Sequence, residues 1–316
     1  MPTDPAHAVL RDFENVIWLT ILFGIVLFGV WRLFFRPSSE LATEGGIEVA
    51  PLPEKGIPVA HFSLADLFFL PLILLKYSVT LQLLAGNLFA LPVKAAEEAG
   101  LVDAAVDAAQ LTDPVPLKMS TELILLDMSI NIFLIAMIIL MIQWVGRRNV
   151  DTVFGLRRIK SLRILLWVVV GAFVATPLVI LTSHGMPQLF EGIFGKEIEE
   201  QAAVQSMRES TSLGLKILLV INACLVAPVI EELVFRGYCY GVMKRFTGAM
   251  FAAFVTSALF AVAHQSILAL LPLFGFALFL NLFYESSRSI WVPMGVHSVF
   301  NIVNVALILS GVGGEG

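Results

Sequence analysis

The sequence predicts an all-α protein, a polytopic bundle of about eight membrane-spanning helices. Its 316 residues are 58% hydrophobic and only 14% charged, and the mean hydropathy is +0.88. A soluble domain of ordinary composition carries about 25% charged residues. Here the charges lie between apolar runs whose lengths are close to the roughly 20 residues that a helix needs to cross a bilayer.

The apolar runs are predicted to be helices because only helices and closed barrels satisfy every backbone group inside lipid. Barrel strands alternate apolar and polar residues, whereas these runs are long and continuous. We expect spans at about residues 15–35, 62–92, 122–145, 164–182, 213–243, 248–265, 267–284 and 290–310.

The first two runs need separate arguments. Run 15–35 follows the acidic Asp12 and Glu14 and is too long for the core of a cleaved signal, so we expect a retained anchor. Run 62–92 contains Asp66, Pro71 and Lys76, which is typical of a kinked span or of a span joined to an interfacial piece. The other six runs carry fewer interruptions and are expected to span directly.

Basic residues predict the orientation, because arginine and lysine are enriched in short cytoplasmic loops. The loops 93–121 and 183–212 are acidic and are placed outside. Both termini are then predicted to lie outside, in the plasma (inner) membrane if the cell is bacterial. The basic residues that mark cytoplasmic ends are Arg32, Arg36, Arg147, Arg148, Arg157, Arg158, Lys160, Arg163, Lys244, Arg245 and Arg288.

The chain divides into two predicted domains. Residues 1–150 form an N-terminal extension with about three transmembrane helices and no assigned function, and residues 160–310 hold five spans with every histidine and carboxylate feature. No internal repeat suggests an inverted-repeat transporter, and no basic cluster with interleaved aromatic residues suggests nucleic acid. Cys224 and Cys239 lack metal-ligand spacing and are interpreted as packing residues.

Two adjacent carboxylates and an arginine follow the apolar run 213–230. An ionisable side chain at membrane depth costs several kcal/mol unless it is paired or faces water, so it marks a functional site by default. Glu232 and Arg236 are four residues apart and are expected to form an ion pair. Glu231, rotated by about 100°, shares a face with Phe235 and is free to act as a general base. The alternative is one structural salt-bridge network.

Two later helices carry histidines at comparable depth. His264 ends the sixth run, and His297 shares a helix face with Asn301 four residues on. Taken singly, His264 is more typical of a packing residue. The His297–Asn301 pair fits interhelical hydrogen bonding and catalysis equally well. His297 lies only about 10 Å beyond Trp291, so the last helix must begin deeper than the others or the cavity must be tall.

These residues resemble the CPBP family of intramembrane proteases, also called the Abi or CAAX protease family. The family motifs E-E-x-x-x-R, F-x-x-x-H and H-x-x-x-N/D are matched in order by Glu231-Glu232-Leu-Val-Phe-Arg236, Phe260-Ala-Val-Ala-His264 and His297-Ser-Val-Phe-Asn301. The resemblance covers about residues 160–310 and implies a core of the CAAX prenyl protease type.

The resemblance implies an intramembrane endopeptidase that hydrolyses a peptide bond of a membrane-associated protein or peptide. Glu231 would activate water with help from His264, and His297 and Asn301 would stabilise the oxyanion. Glu232 and Arg236 would position the base. The alternatives are a proton-coupled membrane transporter, because buried ionisable groups also build proton relays, and an inactive scaffold that binds a membrane partner.

The cofactor is left open between none and zinc. Glu231, His264 and His297 would supply three zinc ligands and leave the fourth position to water. The H-E-x-x-H signature is absent, and a glutamate is needed as base as well as ligand, so a metal-free mechanism is favoured. Membrane lipid and a membrane-associated substrate are the expected partners, and the sequence does not indicate the oligomeric state.

Overall fold

A computed structural model describes residues 56–77 except 65, 68, 72, 74 and 75, then residues 121–194, 202–264 and 266–310. Every element in these ranges is helical, which confirms the predicted all-α class. From residue 121 on, the helices are α1 (Thr121–Leu140, continued by a π turn at Met141–Val145), α2 (Val150–Phe154), α3 (Ser161–Phe194), α4 (Ala202–Glu209), α5 (Leu213–Thr247), α6 (Ala249–Ala263), α7 (Ile267–Ser287) and α8 (Trp291–Leu309). The described residues of 64–77 are helical as well.

Four segments within the described ranges are long and apolar enough to cross a membrane. They are Thr121–Trp144, Leu213–Thr247, Leu268–Ser287 and Trp291–Leu309, and two shorter apolar helices, Ser161–Pro177 and Ala249–Ala263, accompany them. The predicted number of about eight spans is therefore not confirmed. Run 15–35 lies outside the described residues, and run 62–92 is described only as far as residue 77.

The outer surface of the bundle is apolar. Phe133, Trp144, Phe173 and Met250 are 65 to 90% exposed although all are large hydrophobic side chains. Soluble proteins rarely expose large contiguous apolar patches. Together with the four spans, this surface identifies an integral membrane protein whose helices face lipid.

Helix α5 alternates between α and π geometry along its length. Regular turns at Leu213–Ile221, Ala227–Glu232 and Gly241–Thr247 are separated by π segments at Asn222–Val226 and Leu233–Tyr240. Pro228 lies just after the first π segment, and because proline has no N–H it removes one backbone hydrogen bond there. Short π segments often occur at functional sites, and both of these flank the Glu231–Glu232 pair.

The segment 56–77 packs against the helices of the second predicted domain. Ile57, Phe62 and Phe69 belong to the same buried cluster as Phe235 and Phe260. The division of the chain at about residue 150 stays a prediction, but the described part of the first portion shares a hydrophobic core with the second. A smaller cluster, which includes Ala175, Phe276, Leu280 and Phe300, joins α3, α7 and α8.

Two polar networks fasten the segment 56–66 to the ends of the helices. Asp66, 1% exposed, accepts hydrogen bonds from Arg148 at 3.1 Å, the Ser63 backbone N–H at 2.7 Å and the Tyr238 hydroxyl at 3.2 Å. The basic ends of α1 and α5 therefore lie on the same side of the bundle, consistent with the alternation of basic loops. Which side is cytoplasmic stays a prediction.

The second network centres on Glu285 near the end of α7. Its carboxylate accepts hydrogen bonds from the Lys244 ammonium at 2.7 Å, the Tyr240 hydroxyl at 2.7 Å and the Ile57 backbone N–H at 3.2 Å. Lys244 also donates to the Ile57 carbonyl at 3.0 Å. Ile57 is thus held through both its backbone N–H and its backbone carbonyl.

We expect Arg148→Ala to lower the free energy of unfolding by about 3 kcal/mol, because it leaves the buried Asp66 carboxylate without its cation. Titration of the purified protein with denaturing detergent measures this change. Arg157→Ala is the matched control, since Arg157 pairs with Asp151 while 88% exposed, and its effect should stay below about 1 kcal/mol. Equal effects of the two substitutions would contradict the structural role of the Asp66 network.

Candidate active site

The two adjacent glutamates of α5 occupy different environments. Glu231 and Glu232 end the central α segment, directly before the π segment Leu233–Tyr240. The side chain of Glu232 is fully buried, whereas that of Glu231 is 22% exposed. The rotation of about 100° between neighbours on a helix turns one carboxylate into the protein and the other towards a partly open space.

Glu232 is the centre of a buried hydrogen-bonded group. Its Oε1 accepts a hydrogen bond from Arg236 Nη1 at 2.8 Å and another from His297 Nδ1 at 2.9 Å. The ion pair expected from the four-residue spacing is confirmed. The bond to His297 joins α5 to α8 and links two residues 65 positions apart along the chain. It was not expected from the sequence.

Phe260 supports both histidines and the arginine. Its ring is fully buried, with the guanidinium carbon of Arg236 4.4 Å from the ring centroid. The His264 and His297 rings lie 4.7 and 5.7 Å from it, centroid to centroid. A phenylalanine four residues before His264 therefore positions three polar side chains of the site at once.

The hydrogen-bond partner of His264 determines which ring nitrogen faces the site. His264 Nδ1 lies 2.8 Å from the Phe260 carbonyl oxygen, at the end of α6. A carbonyl can only accept a hydrogen bond, so the proton of the neutral ring is on Nδ1. Nε2 then presents a lone pair, and it lies 3.8 Å from Glu231 Oε2.

His297 repeats this arrangement from the opposite helix. Its Nδ1 donates to the Glu232 carboxylate, so the Nε2 of the neutral ring is also unprotonated. That nitrogen lies 4.0 Å from the same Glu231 Oε2. The difference in depth expected from the sequence does not separate the groups, since α8 brings His297 to the level of Glu231.

Glu231 Oε2 is buried and has no hydrogen-bond partner within the part of the chain that the structure describes. The separations of 3.8 and 4.0 Å from the two Nε2 atoms are too long for direct hydrogen bonds. Polar groups at this spacing are commonly bridged by one water molecule. The arrangement can thus hold a small polar molecule between one carboxylate and two imidazoles.

Asn301 makes a contact that differs from its expected role. Its Nδ2 donates to the Ala223 carbonyl oxygen at 2.7 Å. In a π turn that carbonyl would accept from the N–H of residue 228, but Pro228 has none. Asn301 supplies the missing donor and links α8 to α5. The amide has a second hydrogen, so its role as an oxyanion donor stays a prediction.

The three candidate metal ligands, Glu231, His264 and His297, face one another, but their spacing is wide. Ligands of a tetrahedral zinc ion at about 2.0–2.1 Å lie about 3.4 Å apart, and the glutamate oxygen is farther than this from both histidine nitrogens. Within the described ranges, no group of three or more His, Cys, Asp or Glu side chains has the geometry of a metal site. The donor types suit zinc, whereas the placement does not.

The sequence did not indicate a neighbour of the site in the second run. The Lys76 ammonium lies 3.6 Å from the Asp127 carboxylate and 4.2 Å from the centroid of the Tyr77 ring. The Tyr77 ring in turn packs on Phe235 with centroids 5.3 Å apart. The charges of this run had predicted only a kinked span or a span joined to an interfacial piece.

Comparisons with known proteins agree with the motifs. Residues 213–303 match the model of a family described as "Type II CAAX prenyl endopeptidase Rce1-like", and this range includes all six predicted site residues. The chain is 28% identical over 149 residues to a Bacillus subtilis (strain 168) protein named "Putative membrane peptidase YdiL". That alignment covers 46% of this chain and 57% of the relative. No solved structure gives a significant match.

We expect Glu232→Ala to lower the free energy of unfolding by about 3–5 kcal/mol, because it leaves the buried Arg236 charge unpaired. The same substitution at Glu231 should change that free energy by less than about 1 kcal/mol, since its buried oxygen has no hydrogen bond to lose. Denaturing-detergent titration compares the two neighbours directly. If Glu231→Ala were the more destabilising change, the division of roles between the two carboxylates would be wrong.

Proposed function

We propose that this protein is an intramembrane endopeptidase of the CPBP type. Its residues 213–303 match the Rce1-like CAAX prenyl endopeptidase family. It hydrolyses a peptide bond of a membrane-associated protein or peptide. The observation that carries the proposal is the convergence of His264 Nε2 and His297 Nε2 on the unpaired Glu231 Oε2. A base and two imidazoles around one small space are what activation of water requires.

In the proposed reaction Glu231 removes a proton from a water molecule that it shares with His264. The water oxygen then attacks the carbonyl carbon of the substrate directly, without a covalent enzyme intermediate. The unprotonated Nε2 of His264 accepts the second hydrogen of the water and fixes its orientation, because His264 Nδ1 is held by the Phe260 carbonyl. Positioning of this kind lowers the entropic part of the barrier.

His297 and Glu232 act as a pair. The buried Glu232 carboxylate accepts the Nδ1 hydrogen and orients the ring. The proposed reaction uses the imidazolium form of His297, which carries a second hydrogen on Nε2. In that form Nε2 donates a hydrogen bond to the developing oxyanion. When the C–N bond breaks, the proton held by Glu231 passes to the leaving amine and the carboxylate is restored. Arg236 balances the charge of Glu232 throughout.

The proposed reaction includes no metal-dependent step, because the Glu231, His264 and His297 donors stand farther apart than a zinc shell requires. Membrane lipid surrounds the enzyme, and the substrate enters from it. The 28% identity to the named membrane peptidase supports a protease over a transporter, and the proposed base and histidines all lie inside the matched segment.

We expect Glu231→Gln to lower kcat by at least about 1,000-fold, because it removes the proposed general base. His264→Ala should lower kcat by about 100-fold, because it removes the group that orients the water. The purified protein in liposomes is incubated with a membrane extract, new N-termini are identified by mass spectrometry, and a synthetic peptide spanning the strongest cleavage site then gives the rates. Glu209→Gln, the same change at an exposed position, is the control.

Three outcomes would contradict the proposal. If wild type and Glu231→Gln generate the same peptides, the protein is not a Glu231-dependent protease. If neither cleaves but wild-type liposomes alone conduct protons, the transporter interpretation is correct. Co-purification of one membrane partner that survives Glu231→Gln, without any cleavage, would indicate a scaffold.

The metal-free mechanism predicts that dialysis against a zinc chelator leaves kcat within about twofold of its starting value, since no proposed step passes through a metal. Elemental analysis of the active protein should find zinc well below one atom per chain. Activity that is lost on chelation and restored by zinc would overturn the metal-free mechanism while leaving the protease function intact.

A further inference from the structure

One tyrosine of the described chain differs from the others in its hydrogen bonding. The Tyr238 hydroxyl donates to Asp66, that of Tyr240 to Glu285 and that of Tyr284 to the Val153 carbonyl. The Tyr77 hydroxyl oxygen is buried and has no partner among the described residues. The sequence contains four tyrosines in all, so Tyr77 alone departs from the pattern.

Leaving a buried hydroxyl unpaired costs about 1–3 kcal/mol. Buried polar groups are otherwise almost always paired, and an exception calls for a specific cause such as a catalytic role. The position of the ring argues against a packing accident. It is held between Phe235, with centroids 5.3 Å apart, and the Lys76 ammonium, 4.2 Å from its centroid. Lys76 is itself fixed by Asp127.

The Tyr77 ring lies along the face of α5 that carries Glu231. Glu231, Phe235 and Cys239 succeed one another at four-residue intervals. The ring contacts the middle one, with ring centroids 5.3 Å apart, and Glu231 is the preceding residue on the same face. Two buried oxygen atoms without hydrogen-bond partners in the described chain, Tyr77 Oη and Glu231 Oε2, thus belong to one region.

The proposed reaction needs a hydrogen-bond donor that the expected residues do not fully supply. One amide hydrogen of Asn301 is bound to the Ala223 carbonyl. His297 can donate through Nε2 only after it gains a proton, because its Nδ1–H is held by Glu232. A neutral phenol donates without a change of charge, which suits a site inside the membrane.

We infer that Tyr77 is a catalytic residue that donates a hydrogen bond to the scissile carbonyl oxygen and to the oxyanion that forms from it. The inference rests on the proposed function and extends it to a residue outside the matched segment 213–303. The Lys76 cation above the ring draws electron density from the phenol and makes its O–H a stronger donor. The N-terminal extension then completes the active site.

We expect Tyr77→Phe to lower kcat by about 100-fold, the usual loss on removing one oxyanion donor, with KM changed less than twofold. Its stability should be equal to or above that of wild type, because the substitution removes an unpaired buried group. Both are measured on the full chain in liposomes with the synthetic peptide that reports Glu231-dependent cleavage. Tyr284→Phe, which removes a buried hydroxyl far from the reaction, should retain wild-type kcat.

A second variant keeps the ring and the hydroxyl. With 3-fluorotyrosine at position 77 the protein should fold as wild type, and kcat should change, because fluorine alters the donor strength of the phenol O–H. A purely structural tyrosine would leave kcat unchanged, and that result would overturn the inference. So would wild-type kcat in Tyr77→Phe, or a loss confined to KM.

The failure of this inference is distinguishable from the failure of the proposed function. If Glu231→Gln cleaves the peptide as fast as wild type, the proposed function is wrong and the role of Tyr77 falls with it. If Glu231→Gln is inactive while Tyr77→Phe and the fluorinated protein both keep wild-type kcat, only the role of Tyr77 is wrong.

Discussion

The arrangement of the site depends on the burial of one carboxylate, that of Glu232. A single oxygen of this group accepts hydrogen bonds from Arg236 on its own helix and from His297 on α8. Burying a charge is costly unless it is paired and hydrogen-bonded, so the three side chains hold one another in place. The same bond fixes the tautomer of the neutral His297 ring and turns its Nε2 towards Glu231. The packing of α5 against α8 therefore determines which ring nitrogen faces the proposed active site.

The neighbouring carboxylate differs because the helix turns it in another direction. Among the described residues Glu231 forms no ion pair with a lysine or arginine, and the only basic side chains within 4.0 Å of its carboxylate are the two histidines. The π segments of α5 add to the difference between the two carboxylates. The π segments on either side of the pair change which residues share a face and leave the Ala223 carbonyl to be satisfied by Asn301. A regular helix with the same sequence would not require that interhelical bond.

Local spacing predicted part of this site and not the rest. The Glu232–Arg236 ion pair follows from a four-residue interval, and the all-α class follows from long apolar runs, so both were confirmed. The His297–Glu232 bond and the Asn301–Ala223 bond join residues 65 and 78 positions apart. Such contacts depend on helix packing, and no interval in the sequence encodes them. The approach of Tyr77 to α5 has the same origin, since the charges of run 62–92 predicted only an interrupted span.

The two polar networks that join residues 56–66 to the ends of α5 and α7 also constrain the order in which the protein assembles. Ile57 and Glu285 are 228 residues apart, and Asp66 and Tyr238 are 172 apart. The early segment leaves the ribosome before either partner has been made, so these hydrogen bonds form only after the later helices have been synthesised. Closure of the bundle around the active site is therefore a late step of biogenesis, completed after α7 has been inserted.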